Sequence, residues 1–133
     1  MELQPVGTVE SPLTDVATAP KQGDEGAPEA WLVFEERFSD ALDGIAAGDD
    51  LLLLTWLHHA DRSIVSVHPR DDPDRPLQGV FSTRSSDRPN PLGLHRVTVR
   101  AIEGLRVRVS ALEAVNGTPI VDVKPALRDV RER

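Results

Sequence analysis

The sequence predicts a mainly β fold: a small single-domain β-barrel of about seven short strands with one or two helices. About seven short strand-like runs recur along the chain, some alternating apolar and polar residues with a period of two and others continuously apolar. Gly, Pro, Asn and Asp punctuate those runs at short intervals. At 133 residues and 39% hydrophobic content, the chain can fill one core but not two. No strand–helix alternation of the βαβ kind and no internal repeat appears.

The elements follow in order. Val6 to Val9 reads as a short strand. Ser11 to Pro28 is rich in Pro, Gly, Asp and Thr and has no period, so it is expected to be a long functional loop. Ala30 to Phe34 is a buried strand. Glu35 to Ala47 spaces Phe38, Leu42 and Ile45 as a helix would, with Gly48 as its stop. Leu51 to His58 reads as a central strand and Ser63 to Val67 as a shorter one. The proline- and acid-rich stretch Pro69 to Pro76 is an exposed turn. Gly79 to Thr83 is again strand-like, and Arg84 to Gly93 is a loop stiffened by Pro89 and Pro91 on either side of Asn90. Leu94 to Ile102 and Leu105 to Leu112 alternate as two strands joined at Glu103-Gly104. Asn116-Gly117 marks another turn before a last strand, Ile120 to Val123.

Composition removes whole classes of chemistry. With no Cys there are no disulfides, thiolate nucleophiles, iron–sulfur clusters or Cys-containing zinc sites. No apolar run approaches the roughly 20 residues of a membrane-spanning helix, and Met1 to Gln4 lacks a secretory start, so a cytoplasmic protein is expected. No P-loop, Gly-rich dinucleotide fingerprint or nucleophile elbow is present. His58 and His59, read as strand neighbours, would point to opposite faces, so no metal is expected. The net charge of −7 hides a split: residues 1–74 hold 16 acids and 4 bases, and residues 75–133 hold 11 bases and 6 acids. The second half is therefore suited to an anion, unless the two halves mix on one surface and cancel. Arg96, Arg100, Arg106 and Arg108 lie on the two hairpin strands at even spacings, a candidate track for a phosphate backbone.

Three segments concentrate the remaining chemistry. The stiff loop from Gly79 to Leu94 presents Arg84, Arg88, hydroxyls and the Asn90 amide, a set suited to a carboxylate or phosphate, or simply a rigid surface turn. Asp122 and Lys124 project from one face of a strand, as a substrate-orienting pair or a solvated ion pair. His58 and His59 end a buried strand, where an imidazole is a structural residue or a base.

Taken together, Thr83-Arg84-Ser85, Arg88-Pro89-Asn90-Pro91-Leu92-Gly93, Asn116-Gly117-Thr118-Pro119 and Asp122-Val123-Lys124-Pro125 resemble the tRNA methyltransferase O (TsaA-like) family. The likeness runs from about Val6 to about Leu127. It implies a β-barrel methyltransferase that uses S-adenosyl-L-methionine, forms a homodimer with the cofactor near the subunit interface, and acts on tRNA. The activity it implies is N6-methylation of threonylcarbamoyl-adenosine at tRNA position 37. By position, the resemblance assigns cofactor contacts to Pro20, Lys21 and Gln22, to His58 and His59, to Arg84 and Leu94, and to Glu113, Ala114, Val115 and Asn116. Arg88, Asn90 and Lys124 are candidate substrate contacts. Asp122, then His58 or His59, are candidate bases for the proton that the acceptor nitrogen must lose.

Two departures stand out: Asn116 where the family has Asp, and Ala126 where it commonly has Tyr. A single domain over 1–133 without a further C-terminal domain is expected. Two alternatives stay open: a methyltransferase on the same scaffold acting on a small molecule, and a non-catalytic cofactor-binding module.

Overall fold

Strand formation follows the alternation closely. The computed structural model describes residues 1–15, 19–20 and 26–127. Its strands are β1 (Gly7–Glu10), β2 (Ala30–Phe34), β3 (Asp50–Trp56), β4 (Ser66–Val67), β5 (Gln78–Gly79), β6 (Leu92–Glu103), β7 (Arg106–Val109) and β8 (Pro119–Pro125). Six of them close into an antiparallel barrel in the order β1-β2-β7-β6-β3-β8, and β8 pairs back onto β1. Strands β4 and β5 form a separate two-stranded ribbon.

The interior is apolar because one phase of each strand is. Val9, Leu32, Leu51, Leu53, Val97, Val99, Val107, Val109 and Ile120 alternate inward, and Leu112 and Ala114 join them. Closure leaves no unpaired edge in the barrel sheet and gives a core of this modest size maximal burial. In the same inward phase, Thr55 continues Leu51 and Leu53, and His95 precedes Val97, so two polar residues enter the core.

Three elements differ from the pattern expected. The Phe38–Leu42–Ile45 spacing gives 3₁₀ turns over Glu36–Leu42, kinked at Phe38, rather than a helix to Ala47. Asp40 and Asp43 oppose the helix dipole in the last turn, and no base offsets them. Leu42 and Ile45 still pack on the core. The expected strand over Ser63–Val67 shrinks to Ser66–Val67, because the Asp61 carboxylate takes the amide and hydroxyl of Ser63 (2.9 and 2.6 Å). The expected strand Gly79–Thr83 becomes a 3₁₀ turn at Val80–Ser82; there the Ser82 and Thr83 hydroxyls donate to the carbonyls of Gly79 and Val80 (2.9 and 3.0 Å), displacing a ladder. The β6–β7 hairpin turns at Gly104-Leu105, one residue later than Glu103-Gly104. Glu103 and Arg106 are still register partners, and Gly104 at φ 63° supplies the first position of a II′-type turn.

Candidate functional site

Two groups of predicted site residues form, joined through the barrel. The first lies where the turn after β3 meets the stiff loop before β6. Leu57 N donates to Pro91 O (2.9 Å), Asp61 N to the Asp87 carboxylate (2.8 Å), and Arg62 donates through Nε to Pro89 O (2.7 Å) and through Nη2 to Asn90 Oδ1 (3.1 Å). The Arg62 guanidinium also lies over the Trp56 ring, 5.0 Å from its centroid.

Strand β3 ends at Trp56, so His58 and His59 sit in a turn. Their rings meet at 4.0 Å between centroids, rather than facing opposite sides as strand geometry predicted. Partial burial first, and then the neighbouring His59, lower the His58 pKa below its ordinary value, while a hydrogen bond to the Trp56 backbone works the other way.

Within the loop the two arginines divide their work. Arg84 is exposed and donates one N–H to Leu94 O (3.3 Å). Arg88 is half-buried and donates to Ser85 O, Val80 O and Thr83 O (2.8, 2.5 and 2.7 Å). Three carbonyls hold that guanidinium, so Arg88 fixes the shape of the loop, in contrast to the substrate contact expected of it. Asn90 is likewise tied to Arg62 through its side-chain oxygen.

The second group lies at residues 112–117. Leu112 N donates to Pro28 O (2.9 Å), Asn116 N to Leu13 O (2.6 Å) and Ser11 N to Asn116 Oδ1 (3.1 Å). The two ends of the long loop, at Ser11 to Leu13 and at Pro28, thus run beside residues 112–116, and Pro20 within the loop is half-buried. Lys21 and Gln22 lie outside the described residues. Ala114 and Val115 are buried, and Asn116 is exposed. Asn116-Gly117 forms the expected turn, with Gly117 at φ 87°.

Asp122 and Lys124 share the outer face of β8 and form an exposed ion pair (3.8 Å). Register puts Asp122 beside Leu54 and Leu54 beside Leu94, so Asp122 and Leu94 stand two strand spacings apart, about 10 Å.

The four hairpin arginines proposed as a cationic track are each paired with an acid on the barrel surface. Arg96 meets Asp50 (3.5 Å), Arg100 and Arg108 meet Glu29 (3.6 and 3.8 Å), and Arg106 grips Glu10 with two nitrogens (3.2 and 3.0 Å). Each of these four hairpin arginines meets an acid from the acidic half of the sequence, whereas Arg84 and Arg88 meet carbonyls.

Sequence reading missed Arg62, Thr55 and His95. Arg62 carries no local signal, because its partners lie 27 and 28 residues away. Thr55 and His95 did carry one: each is a polar residue in the inward phase of an apolar strand.

A closed six-stranded barrel with polar residues gathered on its wall, rather than a parallel sheet with a Gly-rich turn, places the chain among the small antiparallel β-barrel domains. Within that class, the model of the tRNA-methyltransferase O N-terminal domain matches residues 8–131, and the chain belongs to that family. It is 38% identical over 130 residues to a probable S-adenosyl-L-methionine-binding protein of Methanothermobacter thermautotrophicus, covering 98% of this chain and 93% of the relative. It is also 38% identical over 120 residues to the probable S-adenosyl-L-methionine-binding protein VirR of Rhizobium radiobacter, covering 90% of this chain and 67% of VirR. Among solved structures, TrmO from Pseudomonas aeruginosa superposes with a TM-score of 0.76 at 28% identity. That match covers 96% of this chain and 56% of the TrmO chain, so this chain spans little more than half the length of TrmO.

Proposed function

We propose that this chain binds S-adenosyl-L-methionine at the wall formed by the 57–62 turn, the 84–94 loop and the 113–116 segment, and transfers its methyl group. The acceptor we propose is N6 of threonylcarbamoyl-adenosine at tRNA position 37. The observation that carries the reading is Arg84. One N–H anchors its guanidinium to the carbonyl of Leu94, which leaves the remaining donors exposed toward an anion.

The donor set fits the cofactor: a cation for its carboxylate and an exposed leucine face for its purine. Leu92 and Leu94 expose 42% and 45% of their surfaces, more apolar area than a finished barrel wall should leave to water. A second copy of the chain closing over these leucines would complete the site, which supports a homodimer.

Bound cofactor supplies an activated methyl group; the chain's own residues bind, orient and exclude water. Arg84 holds the carboxylate. Arg88 and Arg62 keep the loop in the shape that presents Arg84. The acceptor nitrogen must lose its proton as it gains the methyl group, and His58, in the turn that the 84–94 loop packs on, is the base we favour. Asp122 is set about 10 Å from Leu94 by the strand register and is paired with Lys124, so it is the weaker candidate.

The test is calorimetric titration with S-adenosyl-L-methionine, followed by methyl transfer to tRNA with and without the threonylcarbamoyl group. Arg84→Ala should weaken cofactor binding about tenfold or more, the loss of a charged hydrogen-bond anchor. Binding by the parent chain and transfer only to the modified tRNA support the reading. No binding overturns it. Binding without transfer to either tRNA would favour the second reading, a small-molecule acceptor, to which the charge-balanced arginine face also points.

A further inference from the structure

Among the described residues, Thr118, which donates to Val115 O, is buried by itself, and the other buried polar residues, Thr55 and His95, form a column with Glu113. Thr55 is fully buried, His95 is 6% exposed, and the Glu113 side chain is 15% exposed. Thr55 Oγ1 lies 2.7 Å from His95 Nε2, and His95 Nδ1 contacts Glu113 Oε1. A carboxylate only accepts, so Nδ1 carries the proton that faces Glu113; in the neutral ring Nε2 then accepts from the Thr55 hydroxyl. The backbone is shaped around this column. Gly93 is the register partner of Thr55, and a Cβ there would overlap the Thr55 hydroxyl and stand 2.7 Å from His95 Nε2.

Burying three polar side chains where Val or Leu would pack is costly unless every group is satisfied, and its energetic benefit over an apolar core is small. A hydroxyl–imidazole–carboxylate chain has the order of a hydrolase relay, but the Thr55 hydroxyl is sealed from any substrate, so no nucleophile results. The column's position offers a better account. His95 follows Leu94, whose carbonyl anchors Arg84, and Glu113 opens the 113–116 segment. His95 therefore links the two groups of the candidate site through the barrel wall.

We propose that His95 is a positioning residue. It holds the Glu113 carboxylate, and with it the start of the 113–116 segment, in register with the Arg84 side of the cofactor site; the carboxylate sets the imidazole tautomer, and the Thr55 hydroxyl satisfies the ring at Nε2. The proposal rests on the cofactor reading given above.

The test is a double-mutant cycle on S-adenosyl-L-methionine affinity, measured by calorimetry, with His95→Gln, Glu113→Gln and the pair. If His95 acts through Glu113, each single variant should weaken binding by about tenfold, and the double variant should be no weaker than Glu113→Gln alone. His95→Asn retains an amide donor near the Nδ1 position and should recover most of the affinity that His95→Gln loses. A purely structural role would not distinguish the two amides in that way. Independent effects of His95→Gln and Glu113→Gln, or unchanged affinity in His95→Gln, overturn the proposal.

Nitrogen-15 NMR of the unaltered protein covers the case in which the variants fail to fold. The His95 ring should be protonated at Nδ1 and not at Nε2, and that Nδ1 resonance should shift on saturation with cofactor. The opposite tautomer, or a ring resonance blind to cofactor, overturns the proposal. Absence of cofactor binding by the parent chain overturns the cofactor reading as well, and is visible before any variant is made.

Discussion

Replacing Gly93 by Ala tests whether the interior polar column dictates the residue facing it. Gly93 lies in β6 opposite Thr55, and the methyl group would overlap the Thr55 hydroxyl, approach His95 Nε2 to 2.7 Å and crowd Leu57 Cδ2 at 3.1 Å. Overpacking a well-filled core by one methyl group costs about 1–3 kcal/mol, and displacing the Thr55–His95 hydrogen bond adds roughly 1 kcal/mol. The loss of chain freedom in the unfolded state offsets about 0.4–1 kcal/mol of that. A net loss of about 2 kcal/mol should lower the melting temperature of a domain this size by roughly 5–10 °C, read by circular dichroism. The sign of the coupling is more diagnostic. Thr55→Ala alone should destabilise, since it leaves His95 Nε2 without a partner, yet in the Gly93→Ala background it removes the atom that the new methyl group meets. The double variant should therefore melt above Gly93→Ala alone. A Gly93→Ala protein that melts with the parent, or additive losses in the pair, would refute the reasoning.

Three further outcomes are expected. Arg62→Ala should loosen the 57–62 turn from the 84–94 loop, costing about 1–2 kcal/mol of stability and weakening cofactor binding several-fold, whereas Arg62→Lys should recover only part, since a point charge cannot replace two directed donors; equal calorimetric affinities for parent and alanine variant would dismiss Arg62 as a latch. His58 should titrate below its ordinary value of about 6.5 in an NMR titration, and His59→Gln should move it upward. Because the folded value is lowered, the stability tied to His58 is present above its ordinary value and lost as pH falls through the folded one, and His58→Gln should flatten that part of the stability–pH curve. Arg100→Ala with Arg106→Ala should leave tRNA affinity and its salt dependence nearly unchanged, since Glu29 and Glu10 already neutralise both; a slope reduced by about one phosphate per lost arginine would restore the backbone-track reading.

Much of this fold was legible because strands announce themselves by period. The β6–β7 hairpin alternates and the barrel uses the inward phase which that alternation defines, while Ala30–Phe34 and Leu51–Leu54 were legible as short continuous apolar runs of strand length. Legibility failed where side chains compete with backbone ladders. The Asp61 carboxylate and the Ser82 and Thr83 hydroxyls capture main-chain groups locally, and a propensity reading of Ser63–Val67 or Gly79–Thr83 as strand cannot weigh those captures. Site residues were found where a motif named them. Their division of labour was not legible, because the difference between Arg84 and Arg88 lies in which carbonyls each guanidinium reaches after folding. Which charges pair was not legible for a related reason: the barrel brings Glu10 and Glu29 beside arginines that are far away in sequence.

The same alternation that built the barrel also explains how one strand serves two faces. Along Gly93-Leu94-His95, the inward residues make room for and form the polar column, while the outward leucine stands exposed on the wall where Arg84 is anchored. A strand transmits displacement from one face to the other with little slack, because adjacent residues share the same peptide planes and ladder hydrogen bonds. A change inside the barrel that shifts Gly93 or His95 must therefore move the Leu94 carbonyl, and with it the Arg84 guanidinium. Interior substitutions at Gly93 and wall substitutions at Arg84 should affect cofactor binding in a non-additive way, even though neither side chain touches the other. Substitutions at Val107 or Val109, equally buried on the neighbouring strand but outside the column, should lower stability and leave affinity per folded molecule intact.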